Sequence, residues 1–421
     1  MPDAADPSEH LFRHEAGRMV ASLVRLFGPH NLALAEDVVQ EAFCRALETW
    51  KLQGLPPNPA GWLMTTAKRK ALDALRRERT ARTFAPELAR MLASEWTLAP
   101  AVDALLEPQA IQDDDLRMMF TCCHPRLAEQ VQVALVLHLL CGFSVAELAQ
   151  AFLTTPAAME KRLGRAKKVL AASKRLFDLG RPAQLAARLP AVHRALYLLF
   201  NEGFHGANPE HAVREELCQE AIRLTRRLLD HPFSATPATH ALLALQLLNS
   251  ARQPGRLGGD GRLQALDQQD RGRWHAAQVE EGLTHLGLSA QGAELSVYHL
   301  EGAIAAQHAS APGPEATDWA AIVALYDLLL SLRPSPVVGL QRAIALAQRD
   351  GAEAGLEALH RLEGRERLAR YPFYAAALGE LERRRGRLDV AREHLSRALS
   401  LTRNPAEQAS LGARLEACAA I

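Results

Sequence analysis

Apolar residues recur at helical spacing along most of the chain. Over residues 34–50, Val38, Ala42, Phe43, Ala46 and Leu47 share one helical face, while Glu36, Asp37, Gln40, Glu41 and Arg45 fall largely elsewhere. Over 156–170, Met159, Leu163, Ala166 and Leu170 recur at i, i+4, i+7 and i+11, the stripe of a helix with one buried side. Period-2 alternation is scarce and no Asn-Gly hairpin signal occurs. Gly and Pro instead punctuate helix ends. The pattern predicts an all-α chain in five stretches. Residues 8–82 and 113–178 are helical blocks with basic ends, joined by a linker at 83–112. Residues 185–310 and 318–421 are Ala/Leu-rich helical arrays, with breaks at Pro254–Gly261 and Ala311–Pro314.

Composition narrows the class. At 421 residues, two or three domains of about 150 residues are expected. Hydrophobic residues are 48% and charged residues 23%, the balance of a globular chain with sizeable cores. No run of about 18 apolar residues marks a membrane span, and the polar start MPDAADPSEH has no secretory pattern, so a cytoplasmic location is expected. The six cysteines are irregularly spaced, as reduced thiols would be.

Net charge is only +1, yet the charge is segregated. Residues 62–82 hold Lys68, Arg69, Lys70, Arg76, Arg77, Arg79 and Arg82 against Asp73 and Glu78. Residues 156–175 hold Lys161, Arg162, Arg165, Lys167, Lys168, Lys174 and Arg175 against Glu160. Between them, Asp103, Glu107, Asp113, Asp114 and Asp115 form an acidic tether over 103–115. Two basic helices on an acidic tether suggest two DNA contacts by one chain, against the plain alternative of solvated helix faces.

Residues 143–170 read as helix-turn-helix. Ser144 and Glu147 have capping-box spacing. Thr155 is placed as the next N-cap with Pro156 behind it, and Leu153 stands where a turn glycine is common. Small residues at the start of the second helix, with bases further along, suit a major groove; the plain alternative is a helical hairpin. In the first block, Trp62 precedes Lys68, Arg69 and Lys70, an arrangement able to stack an unpaired base and hold its phosphates, unless Trp62 is a core residue.

An acidic-apolar helix (AEDVVQEAFCRAL), then Trp62 with KRKALDALRR, then a helix-turn-helix near residue 150 together resemble an extracytoplasmic-function (group 4) bacterial sigma factor of the sigma-70 family over residues 10–175. DDDLRMMFTCCHPRL (113–127) and LYLLFNEGF (196–204) resemble the subgroup with a long helical C-terminal extension carrying tetratricopeptide-like repeats. The resemblance implies an all-α protein: a sigma region 2 domain, a region 4 helix-turn-helix domain, and the helical array. It implies core RNA polymerase (β′ clamp and β flap) and promoter DNA as partners. Asp37, Gln40, Glu41, Phe43 and Leu47 would meet the clamp. Trp62, Lys68, Arg69, Lys70, Asp73, Arg76 and Arg77 would capture the −10 element. Thr155, Ala157, Lys161, Arg162, Arg165 and Lys168 would read the −35 element. The acidic tether would thread past the RNA path. No catalytic residue or cofactor is implied.

Leu378, Gly379, Ala391, Leu395 and Ala398 match tetratricopeptide positions, and Ala343, Gly355 and Leu359 form a weaker copy upstream. A protein partner for these repeats is expected, with the array masking or assisting the DNA-binding halves. Cys122, Cys123, His124 and Cys141 lack zinc spacing. Neither the His10/His14 pair nor His205 and His211 has a ligand pattern, and no P-loop or GxSxG occurs. The competing reading is a helix-turn-helix regulator with a tetratricopeptide sensor that binds duplex DNA without polymerase.

Overall fold

The computed structural model describes residues 7–81, 108–152, 154–172, 185–205, 214–256, 258, 263–402 and 404–418. Within these, every regular element is a helix. Two compact units divide the chain, residues 1–199 and 200–421.

The first unit opens with α1 (Pro7–Phe27), α2 (Leu32–Gln53) and α3 (Pro59–Ala81). It continues with α4 (Pro108–Cys122), α5 (Glu129–Leu139), α6 (Val145–Ala151) and α7 (Pro156–Ala171). Pro59 and Pro156 each start a helix directly after a capping side chain. Asn58 Oδ1 accepts the Gly61 N–H at 2.9 Å, and Thr155 Oγ1 accepts the Ala158 N–H at 3.3 Å. The cap satisfies an orphan donor, and proline has no N–H to leave unpaired. Pro108 begins α4 inside the segment expected to be linker.

The division between units falls within α8 (Leu189–His205), after Leu199. Arg188, just before this helix, donates to the Phe120 carbonyl in the first unit at 3.0 Å. At its other end, Cys218 Sγ donates to the Phe200 carbonyl and Arg256 covers the Phe204 ring at 4.0 Å, all within the second unit.

The second unit continues with α9 (Glu215–Leu229), α10 (Pro237–Ser250), α11 (Ala276–Ser289) and α12 (Val297–Ser310). Six further helices follow among the described residues: α13 (Trp319–Leu332), α14 (Pro336–Asp350), α15 (Ala352–His360), α16 (Pro372–Arg384), α17 (Leu388–Leu401) and α18 (Pro405–Ala417). The residues matched to the repeat pattern form the contacts between paired helices. Gly379 of α16 lies so close to α17 that a Cβ there would stand 2.8 Å from Leu395 Cγ and 3.2 Å from the Ala391 carbonyl. In the preceding pair the glycine changes sides. Gly355 of α15 faces α14, where a Cβ would stand 2.5 Å from Ala347 Cβ and 3.1 Å from the Ala343 carbonyl. Each crossing needs one glycine opposite one alanine, on either helix. The loop Leu257–Gly261 lies largely outside the described residues.

Gly355→Val forces two helices apart at a tight crossing and is expected to destabilise the second unit by about 2–3 kcal/mol. Urea unfolding of the full chain checks this: the midpoint of the C-terminal unit falls while that of the first unit stays.

Candidate nucleic-acid interface

In α6–α7 the local chemistry orients the outer face. Ser144 N–H donates to Glu147 Oε2 at 2.8 Å and Glu147 N–H to Ser144 Oγ at 3.2 Å, a complete capping box. Met159, Leu163, Ala166 and Leu170 are all buried. With that stripe fixed inward, Thr155, Ala157, Lys161, Arg162, Arg165 and Lys168 are all exposed. The turn residue Leu153 lies outside the described residues.

In α2, Val38, Ala42 and Ala46 are buried, which turns Asp37, Gln40 and Glu41 to the exposed side. Phe43 is half-buried and Leu47 is 54% exposed. Leu52 and Leu55, 87% and 70% exposed, extend this apolar patch beyond the residues expected from the sequence. Uncovered leucines beside exposed carboxylates leave apolar surface in contact with water on this side of α2.

In α3, Trp62 is half-buried, its ring 5.5 Å from that of Trp50. Arg69 and Asp73 are exposed and Lys70 half-buried. Lys70 Nζ is 2.5 Å from Glu41 Oε2, so a base of one expected surface pairs with an acid of the other. Lys68 departs from the expected set. It falls in phase with Met64, Ala71 and Leu75, all buried, and is itself 8% exposed, with burial lowering its ammonium pKa. The helical period separates Lys68 from Arg69 although they are adjacent in sequence. The side chains of Arg76 and Arg77 lie outside the described residues.

The acidic tether is also corrected. Asp114 and Asp115 belong to α4 and are 0% and 2% exposed. Asp114 is 3.1 Å from Arg25 Nε, 3.8 Å from Arg117 and accepts from Ser22 Oγ at 3.2 Å; Asp115 is 3.7 Å from Arg18 Nε. Their charge is consumed by α1 and by α4 itself, and they are not available to an RNA path. Asp103 and Glu107, and the side chain of Asp113, lie outside the described residues.

These pairs are one contact between the first three helices and those that follow, joining α1 to α4, and a second joins α2 to α5 and α7. The second is a cluster of Glu36 on α2, His138 on α5 and Lys167 on α7. Glu36 Oε1 is 2.6 Å from Lys167 Nζ and 3.3 Å from His138 Nε2. His138 Nδ1 lies 2.7 Å from the Phe143 carbonyl, an acceptor only, so Nδ1 carries a proton, and Nε2 faces the cluster. Burial raises the Glu36 carboxyl, but hydrogen bonds and charge from His138 and Lys167 outweigh it and hold the pKa below its ordinary value. Between the two contacts, Gly17 of α1 rests on the end of α5, where a Cβ would stand 2.5 Å from the Leu140 carbonyl oxygen.

Cys122, Cys123 and Cys141 are buried thiols, and burial pushes Cys123 up to about 12. Among the described residues no group of three ligating side chains converges. His211 and the side chains of His10, His14 and His205 lie outside the described residues. No described helix is long and apolar enough to cross a membrane.

Residues 11–81 match the Sigma-70 region 2 family, residues 117–170 the Sigma-70 region 4 family, and residues 188–290 a family of unknown function (DUF6596). The chain is 38% identical over 403 residues to an uncharacterized protein of Rhizobium meliloti, covering 95% of this chain and 93% of that one. It is 26% identical over 200 residues to the probable ECF RNA polymerase sigma factor SigI of Mycobacterium tuberculosis, covering 47% of this chain and 62% of that one. No solved structure matches.

Gly17→Ala leaves both exposed faces intact and improves helix propensity, yet it clashes at the α1–α5 contact. A cost of about 2 kcal/mol there is expected, a roughly thirtyfold shift toward parted helices, read as an increased radius of gyration by X-ray scattering of the full chain. The depressed Glu36 pKa sets the pH response. Its contribution is present above the ordinary value of 4.5 and lost as pH falls through its lower folded value. Scattering should show loosening below that value, and Glu36→Gln should loosen the contact at neutral pH and flatten the response.

Proposed function

This chain, which joins sigma-70 regions 2 and 4 to a domain of unknown function, belongs to one family with the Rhizobium meliloti relative, and we propose that it is a sigma factor. It docks on core RNA polymerase, recognises a two-part promoter and directs initiation. The observation that carries this is the α2 face: Asp37, Gln40, Glu41 and a 54% exposed Leu47 stand clear of the core beside two separate basic surfaces. A regulator that binds duplex DNA alone has no use for that face.

The residues divide the work by exposure. Asp37, Gln40, Glu41, Phe43 and Leu47, extended by Leu52 and Leu55, meet the polymerase clamp through a small apolar patch rimmed by acids. On α7, Thr155 and Ala157 let the helix start approach the major groove, while Lys161, Arg162, Arg165 and Lys168 reach bases and phosphates of the −35 element. On α3, Arg69, Lys70, Asp73, Arg76 and Arg77 hold the −10 strand, and Trp62 stacks on an unpaired base. Lys68 is left out of this set. Opening the duplex needs no catalytic group: capturing an unstacked base shifts an existing equilibrium.

The packed arrangement of the first unit must open for this. The −10 and −35 elements are centred roughly 25 base pairs apart, or about 85 Å at 3.4 Å per step. A packed body of 199 residues is roughly 40–45 Å across. The two surfaces therefore reach both elements only after the contacts of Asp114, Asp115 and Glu36 are broken. Polymerase binding at the α2 face is the natural source of that free energy, since Glu36 and Glu41 lie on the same helix.

Transcription in vitro with purified core polymerase on a genomic fragment library tests the reading. Transcripts should start at a shared two-part promoter. Arg162→Ala and Arg165→Ala should each cost about 1–3 kcal/mol of promoter binding without altering polymerase binding. Leu47→Asp should do the reverse. Shifting of duplex DNA with no initiation would establish the regulator reading instead.

A further inference from the structure

The second unit holds a cavity of about 700 Å³ that the reading of the DNA-binding helices does not use. Its walls come from α13, α14, α16, α18 and the loop at 263–268. A cavity of this size matches the range of small-molecule sites, roughly 300–1,000 Å³. The lining divides into an apolar body and polar ends. Trp319, Tyr326, Ile344 and Phe373 supply the apolar side, and Ile344 and Phe373 are 37% and 45% exposed. Alanines at 376, 377, 413 and 417 keep the floor low and leave room for a ligand.

The polar ends are positive. Arg383, Arg384 and Arg414 line the cavity beside Glu380, and Asp267 is the other lining carboxylate. Glu380 accepts from Arg383 at 2.8 Å and from Arg384 at 3.2 Å, and it lies in the field of Arg414. One negative charge thus serves three guanidiniums. At the opposite end stand Arg271 and His308. Arg271 closes the end of α12 by donating to the His308 carbonyl at 3.0 Å and to the Ala311 carbonyl, but its Nε is buried without a protein partner. His308 is 9% exposed, its ring 5.4 Å from Trp319, and its Nδ1 is also buried without a partner. Burial and the charges of Arg252 and Arg271 drive its pKa down to about 4, so the ring is neutral and offers one hydrogen bond. Arg252 and Arg271 both lean on the Trp274 ring, at 5.7 and 5.3 Å, which gathers more positive charge behind this end. A surplus of buried and half-buried guanidinium is costly until an anion joins it.

We propose that this cavity is the binding site of a small organic anion: a molecule with an aromatic or branched apolar body against Trp319, Tyr326, Ile344 and Phe373, and a carboxylate or phosphate that takes up the surplus charge of the arginines. The second unit is then a ligand-sensing domain carried on the same chain as the DNA-binding helices. The inference stands apart from the sigma reading, since binding is measured without polymerase or DNA.

The probe is 8-anilinonaphthalene-1-sulfonate, an aromatic anion whose fluorescence rises in an apolar site, added to the full folded chain. Its uncharged analogue N-phenyl-1-naphthylamine is the control. Saturable binding of one probe per chain is expected, with the uncharged analogue weaker by about tenfold or more. Ile344→Trp fills the cavity and should abolish binding. Arg414→Glu should weaken binding of the anion by about tenfold and leave the uncharged analogue unchanged. Both positions lie at the surface, and an unchanged melting curve shows that the fold is kept. Benzoate and phenyl phosphate as competitors tell which anionic group the site takes. The proposal is overturned if the probe binds without saturation, if Ile344→Trp binds as well as the parent, or if a glutamate-rich peptide displaces the probe while neither small anion does. That last outcome would make the cavity a peptide groove. Initiation in vitro, measured on the same variants, reports separately on the sigma reading.

Discussion

The carboxylate of Asp114 is wholly removed from water, and it sits between helices that belong to different DNA-binding domains. An isolated buried charge would cost several kcal/mol, so the side chain holds its place only because Arg25, Ser22 and Arg117 surround it. The arrangement binds α4 to α1, and through α4 the helix-turn-helix domain to the first three helices. Buried pairs of this kind contribute modest net stability, but the loss of one partner is severe. They hold one particular arrangement while it lasts, and they resist partial opening. The Glu36 cluster works differently. It is less deeply buried, its members come from α2, α5 and α7, and its strength depends on a carboxylate that titrates. One contact is held by deep burial, the other by a carboxylate that titrates.

A second theme is the use of arginine at helix ends. The last carbonyls of a helix have no partner within it and carry the negative end of its dipole. Arg188 supplies a donor to Phe120 at the end of α4, and Arg271 to His308 and Ala311 at the end of α12. Arg256 donates to Phe204 at the end of α8, Arg365 to His360 at the end of α15, and Arg397 to Ala369. A planar guanidinium can reach two carbonyls at once, which a lysine cannot do as well. These arginines are thus committed to backbone carbonyls of the fold.

The repeats show how close packing and open space arise from the same residues. Glycine faces alanine at the α14–α15 and α16–α17 crossings, which draws each pair together. Alanines of α16 and α18 also line the cavity, and their small size leaves its floor low. The array is rigid where its helices pair and vacant where they face inward. A ligand site and a stable scaffold thus come from one short repeating pattern.

Much was legible in the sequence wherever the physics is local. Helical periodicity, the Ser144–Glu147 box, the Thr155-Pro156 start and the exposed face of α7 follow from spacing and capping within a few residues of one another. The same holds for the α2 face and for the small residues of the repeats. Where reading by composition replaced reading by helical phase, it misled. Lys68 belongs to the buried stripe of α3 despite its basic neighbours, and Asp114 and Asp115 belong to a core despite lying in an acidic run. What only the tertiary structure decided is which charges meet. Arg25 and Ser22 for Asp114, Lys167 for Glu36, and the carbonyls met by Arg188, Arg256 and Arg271 lie tens of residues away in sequence, and nothing in a local window distinguishes a solvated charge from one committed to a distant carbonyl or carboxylate. The cavity among α13, α14, α16 and α18 has the same origin. It exists because separate segments converge in space, and convergence is a property of the packed chain rather than of any stretch of it.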